Sequence, residues 1–152
     1  MATVTFGMRT SLPPDRVMSM LTDFSSSRPE VWPTLAPQLY EVYSVDLTAA
    51  HVKEGSLRPV VIWERCHYEW STDRVRWTVH ASNYCKPGSY VEVTVGKGAG
   101  LGSQIYVEWN RTGVGFKGKA LIAFVVLSGG AIIRRKVFQR AFDRAVRLLA
   151  KG

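Results

Sequence analysis

The stretch "VGKGAGLGSQIYVEW", residues 95–109, sets glycine at every second position: Gly96, Gly98, Gly100 and Gly102. A run of this kind is either a cradle for a phosphate or the tip of a turn, and its flanks decide which. A phosphate loop needs a strand before it and a helix after it, because the helix N-terminus supplies the N–H groups and the dipole that hold the anion. Here a strand follows. Ile105, Val107 and Trp109 alternate with Gln104, Tyr106 and Glu108, and Val91, Val93 and Val95 alternate with polar residues upstream, the period-two signature of half-buried strands. The spacing also misses both phosphate templates. No Lys followed by Ser or Thr closes the run, and Ser103 stands where the third glycine of Gly-x-Gly-x-x-Gly belongs. The run therefore predicts an antiparallel hairpin, with a flap over a cavity mouth as its remaining functional role.

Working outward, strands are predicted at Thr3 to Thr10, Leu39 to Val45, His51 to Ser56, Val60 to Trp70, Arg74 to Ser82, Ser89 to Val95 and Ser103 to Arg111. Pro13-Pro14-Asp15 starts a helix, since proline suits a first turn and an acid favours the positive helix end. Val17, Met18, Met20, Leu21 and Phe24 give that helix its apolar face, and a second short helix carrying Val31 and Trp32 is predicted before Pro33 and Pro37. The chain ends in a long helical pattern interrupted at Ser128-Gly129-Gly130. This order has one economical packing. Seven antiparallel strands curve into a half-barrel, and the terminal helix covers the inner face, leaving an internal pocket between helix and sheet.

The 152 residues, 46% of them hydrophobic, with 5 Trp, 6 Tyr and 6 Phe, suit one domain spanning residues 1–152 with a substantial core. No charged-then-apolar leader opens the chain, so the expectation is a cytoplasmic protein, in which Cys66 and Cys85 stay reduced. The formal charge of +8 is confined to one region. Residues 116–152 hold nine basic residues and one acid, while residues 1–115 hold 11 of each.

The segments "EGSLRPVVIWERCHYEWSTDRVRWTVHASN", "KPGSYVEVTV" and "GSQIYVEWNRTG", with Pro14…Val17…Leu21-Thr22-Asp23 in the first helix, resemble the SRPBCC superfamily. This superfamily is also called START or polyketide-cyclase/dehydrase-like, and the likeness is strongest to actinobacterial members. It covers Val4 to Leu149. It implies an α+β helix-grip fold: a seven-stranded curved antiparallel sheet wrapped around a long C-terminal helix, with two short helices between strands 1 and 2. For activity it implies less, because the superfamily holds lipid and hormone binders, polyketide cyclases and stress-response proteins and has no universal catalytic motif.

Faces follow if Thr72-Asp73 form a two-residue turn. Trp70 then opposes Val75, Tyr68 opposes Trp77, Cys66 opposes Val79 and Glu64 opposes Ala81, and facing residues share a side. Ile62, Cys66, Tyr68, Trp70, Val75, Trp77 and Val79 would face the pocket, joined by Val93, Val107, Trp109, Phe138 and Phe142 as ligand contacts. Arg65, His67, Glu69, Arg74, Arg76 and His80 would face solvent, with Glu69 and Arg76 paired. Glu64 breaks the apolar side. A buried carboxylate either stays protonated or finds a cation or a ligand hydroxyl, which makes it the candidate acid or base with Tyr68 beside it. A strand end or a register shift would instead turn it outward. The aromatics serve equally as pocket wall or as plain core.

Cys66 and His67 are adjacent on a strand and point to opposite faces, and His51, His67 and His80 show no ligand spacing, so no metal and no cofactor are expected. On the last helix Phe138, Ala141, Phe142, Ala145 and Leu149 should grip the sheet. Lys136, Arg140, Arg144, Arg147 and Lys151 draw a basic stripe, either a solvated face or a contact for anionic headgroups. Residues 120–133, "ALIAFVVLSGGAII", are too few to span a membrane, which takes about 20 apolar residues. They predict a buried helix half bent at the glycines, with a lid or a dimer contact as alternatives; monomer and homodimer are both open.

The favoured function is binding of an apolar small molecule: a lipid, polyketide or sterol-like compound. A cofactor-independent polyketide cyclase or dehydratase comes second. Third is contact of the basic helix with an anionic membrane or nucleic acid, the latter without any recognisable reading motif.

Overall fold

The computed structural model describes residues 1–151. The elements run β1 (Ala2–Thr10), α1 (Pro14–Leu21), α2 (Arg28–Val31), a 3-10 turn (Pro37–Leu39), β2 (Glu41–Val45), β3 (Ala49–Ser56), β4 (Ile62–Trp70), β5 (Arg74–Ser82), β6 (Tyr90–Lys97), β7 (Ser103–Arg111), α3 (Gly115–Leu127) and α4 (Gly130–Lys151). All seven strands form one antiparallel sheet in the order β1-β7-β6-β5-β4-β3-β2. This is the helix-grip architecture. The first helix begins as its prolines dictate, with Pro14 at its first position. Leu39, read as the start of a strand, belongs instead to the 3-10 turn set up by Pro37.

The glycine run is the tip of the β6–β7 hairpin. Pairing continues to Lys97 and Ser103, Gly98 N–H donates to Gly102 O at 2.9 Å, and Gly100 takes a positive φ of 61°. No helix follows, and the tip packs beside the end of β1, where a Cβ on Gly102 would meet the Thr10 carbonyl.

Alternation along the strands sorts the core. Val4, Phe6 and Met8 of β1, Val91, Val93 and Val95 of β6 and Ile105, Val107 and Trp109 of β7 are buried on the inner face. There they meet Val17 and Leu21 of α1 and Phe138, Ala141 and Phe142 of α4. The helical end departs from expectation in two ways. Leu149 does not grip the sheet: it is 52% exposed, as every described residue of α4 from Val146 onward is exposed. The segment 120–133 is not a buried helix half either. It forms α3 and the start of α4, bent by 85° at Gly129 (φ 77°), and only Gly118 and Ile122 of α3 are buried. No single helix among the described residues is long and apolar enough to cross a membrane.

Candidate ligand-binding site

β4 and β5 pair as the turn at Thr72-Asp73 predicts, with Trp70 opposite Val75, Tyr68 opposite Trp77 and Cys66 opposite Val79. Beyond Cys66 the register shifts. Arg65 opposes Ala81 and Glu64 opposes Ser82, so the expected Glu64–Ala81 pairing is corrected by a bulge that places one extra residue, His80, on β5. Glu64 stays inward by its own alternation with Cys66 and Tyr68 on β4, and the chain after β5 reaches back to it. Ser82 Oγ accepts from Tyr84 N (3.1 Å) and Cys85 N (3.3 Å), and Tyr84 then donates its hydroxyl proton to Glu64 Oε1.

Between the sheet and α4 lies a cavity of about 160 Å³. Its aromatic walls are Phe6, Trp32, Trp63, Tyr68, Trp77, Tyr84, Trp109 and Phe138. Ile62, Glu64 and Val107 also line it, whereas no residue of the glycine-rich tip does. Cys66, Val75, Val79, Val93 and Phe142 lie in the packed core, outside the cavity lining. Trp70 packs on Phe24 with ring centroids 5.8 Å apart, also outside that lining.

Two buried ion pairs anchor the polar wall. Glu64 accepts from Arg111 in a two-pronged pair, Nε to Oε1 at 2.9 Å and Nη2 to Oε2 at 3.0 Å. The thiols of Cys66 and Cys85 point at the same carboxylate from 3.6 and 3.8 Å. Burial by itself would raise the Glu64 pKa, but the Arg111 charge and the hydrogen bonds from Tyr84 and Arg111 outweigh it and hold the carboxyl below its ordinary value. The second pair joins Arg28 of α2 to Glu54 of β3, Nε to Oε1 at 2.7 Å. Tyr68 donates to Glu54 Oε2 at 2.6 Å, and Arg28 Nη1 donates to the carbonyls of Leu21 (3.2 Å) and Asp23 (2.9 Å). Burial and then the Glu54 charge push the Tyr68 phenol well above its usual range, so it stays a donor.

Arg134 of α4 completes the wall. Its guanidinium carbon lies 4.7 Å from the Trp109 ring centroid, with that of Arg111 5.4 Å from the same ring. Enclosure and the Arg111 charge lower its pKa, against partial compensation from Tyr84 and Glu64. It remains charged at neutral pH, as arginine does in proteins.

The alternation rule, carried further, would have found three of these groups. Ala50-x-Val52-x-Glu54 and Ile105-x-Val107-x-Trp109-x-Arg111 both end on an inward charge, and Arg134 precedes Phe138 and Phe142 by four and eight residues on one helical face. Arg28 carries no such signal, because α2 is a single turn placed by tertiary packing.

The outer face differs in detail from expectation. Glu69 stands opposite Arg76, but the predicted ion pair is not made: Arg76 reaches Glu92 across to β6 at 3.2 Å, and Glu69 contacts His67 Nε2 at 3.0 Å. The register also gathers the three histidines. His51 and His67 are cross-strand partners with ring nitrogens 3.0 Å apart, and His80, carried outward by the bulge, stacks 5.8 Å from His67. Partial burial and the two neighbouring imidazoles lower the His51 pKa. Among the described residues no group of three His, Cys, Asp or Glu side chains is arranged to hold a metal ion. On α4, Lys136, Arg140, Arg147 and Lys151 are exposed, while Arg144 is half-buried and donates to Glu30 O at 3.3 Å.

No protein-family model and no curated protein matches the sequence. Solved structures do match in shape. The protein TTHA0849 from Thermus thermophilus superposes with a TM-score of 0.78 at 12% identity, over 97% of this chain and 99% of its own. A START superfamily protein from Mycobacterium smegmatis gives 0.71 at 8%, over 96% and 98%. The Zhui aromatase/cyclase from Streptomyces sp. R1128 gives 0.74 at 11%, over 97% and 95%. The chain therefore has the SRPBCC/START-like fold.

Proposed function

We propose that this protein binds a small apolar molecule in the cavity between the sheet and α4. The observation that carries this reading is the cavity itself, walled by aromatic rings from β1, β4, β5, β7 and α4 and from Trp32 and Tyr84 between elements. Pockets of this make-up, apolar with a few placed polar groups, are where small ligands bind. Turnover of a polyketide-like substrate is the weaker reading, although one structural neighbour is named an aromatase/cyclase. Both candidate catalytic groups are already committed: Glu64 is held ionised by Arg111 and Tyr84, and the Tyr68 hydroxyl donates its hydrogen bond to Glu54. A general acid or base needs a pKa near the working pH and a free contact to substrate. Neither group has both.

The test compares native and denaturing mass spectra of the gently purified protein. A defined extra mass of small-molecule size that travels with the folded chain and is lost on denaturation is the expected result. A bare mass, together with no rise in unfolding temperature across a panel of apolar and amphiphilic compounds, overturns the reading.

A second reading concerns the surface. Phe116 (88% exposed), Phe124 (62%) and Leu127 (86%) project from α3, with Ile132 and Ile133 exposed just past the bend. Lys117, Lys119, Arg135 and Lys136 flank them. Apolar side chains rimmed by cations suit an anionic bilayer, from which an apolar ligand would be collected.

A further inference from the structure

The cavity's charges do not balance. Three arginines line it, Arg28, Arg111 and Arg134, against two glutamates, Glu54 and Glu64. The glutamates are taken by Arg28 and Arg111, which leaves Arg134 without an ion pair or a side-chain hydrogen bond among the described residues. Its Nε is sealed from solvent and has no partner, and the only other buried side-chain donor in that condition among the described residues, Trp32 Nε1, lines the same cavity. Orphaned buried donors are rare, and a sealed N–H without an acceptor costs stability, so the convergence of two of them on one space is informative. Both are donors only, and the surplus charge is positive. Their complement is an acceptor-rich anion.

Size narrows the class further. At about 160 Å³ the cavity is close to the ~150 Å³ engineered cavity known to take benzene and below the ~300–1,000 Å³ of pockets for drug-sized ligands. The Trp109 ring beside Arg134 and the Trp32–Phe138 edge-to-face pair, 5.2 Å between centroids, offer flat walls for one ring.

We propose that the cavity's ligand is a compact aromatic or similarly small carboxylic acid, its apolar body against the tryptophan walls and its carboxylate on Arg134, with Trp32 as a second donor. This rests on the cavity being a ligand site and adds the anionic group and the size. Arg134 then acts as the specificity residue, and a charge that the protein itself leaves unpaired is the cost of that recognition.

Isothermal titration of benzoate and toluene against the wild-type protein and against Arg134→Met and Arg134→Gln separates the possibilities. The wild type should bind benzoate at least about tenfold more tightly than toluene, since a charge-assisted hydrogen bond is the strong kind. Each variant should lose about tenfold or more for benzoate while toluene stays within roughly threefold. Both variants should unfold near the wild-type temperature, because Arg134 makes no ion pair and its sealed Nε–H has no acceptor in the fold, so a loss of binding is not a loss of fold. Toluene binding with no preference for benzoate, or benzoate affinity unchanged in the variants, overturns the inference and leaves the apolar-cavity reading standing. Binding of neither probe to the wild type overturns this inference, and the mass-spectrometric and unfolding tests above then decide the broader reading.

Discussion

Glu64 is 12% exposed at its side chain and Arg111 3%, so each compensates the desolvation of the other. Breaking such a pair from one side is far more damaging than never having built it, typically about 3–5 kcal/mol, because the survivor stays buried and charged. Glu64→Gln is expected to destabilise the fold by about that amount at neutral pH, measured by urea unfolding. The pH dependence has a definite sign. The folded carboxyl titrates below its unfolded value, so its contribution is fully present above about pH 4.3 and is lost as pH falls through the lower folded value. The gap between wild type and variant should therefore be constant near neutrality and close in acid. A gap that widened in acid would mean that Glu64 is protonated in the fold. In the sequence, Glu64 was visible as a charge on an apolar face, but its partner was not. Arg111 lies 47 residues away, and the segment after β5 is tied to the chain just past it, with Cys85 bridging Gly113 and Lys86 N–H donating to Thr112 O at 2.7 Å. A two-residue period extended one step past Trp109 would have put Arg111 on the same face, which is as far as a local rule reaches.

At the scale of elements, strands announced themselves because half-buried antiparallel strands must alternate, and β5 and β7 begin and end where the pattern does. The fate of α3 was not legible. Its apolar residues surround the helix, so no face was marked for burial, and exposure was decided by docking at two positions only, Gly118 and Ile122. Gly118 sets that docking. A Cβ there would run into the backbone carbonyl of Tyr84, while Val114 N–H donates to the same Tyr84 carbonyl at 2.9 Å. Backbone on both sides cannot yield cheaply. Helix propensity alone favours Gly118→Ala by about 0.5–1 kcal/mol, yet overpacking of this kind costs about 1–3 kcal/mol, so net destabilisation is expected in chemical denaturation. A stabilised variant would show that α3 is free to shift on the sheet. Because Tyr84 also holds Glu64, the acid limb of the stability profile should move in the same variant, tying the docking of α3 to the polar wall of the cavity.

Over the whole molecule, the charge of +8 is carried by residues 116–151, which lie in the bent pair α3 and α4 and its joint, while residues 1–115 are neutral in sum. The apolar side chains at the bend and the basic stripe thus lie on one bent pair of helices, and under the proposed membrane reading apolar insertion and charge attraction would act together there. Each basic residue near such a surface contributes about 1 kcal/mol, screened within a Debye length of about 8 Å at physiological salt. The wild-type chain is expected to sediment with phosphatidylserine-containing vesicles at low salt, weakly at high salt, and not with phosphatidylcholine alone. Arg144 is a poor choice for testing this, since it is half-buried and donates to Glu30. Reversing Arg140, Arg147 and Lys151 to Glu, which lowers the formal charge from +8 to +2, should abolish sedimentation with an unchanged unfolding temperature. Replacing Phe124 and Leu127 by Ser keeps the charge and should weaken binding in a manner that salt does not restore. Equal sedimentation with anionic and neutral vesicles would remove the electrostatic half of the argument, and wild-type binding retained in the serine variant would remove the insertion half. If both hold, the cavity and the docking surface share α4, and a bilayer that draws on α3 would tug at the helix that carries Arg134.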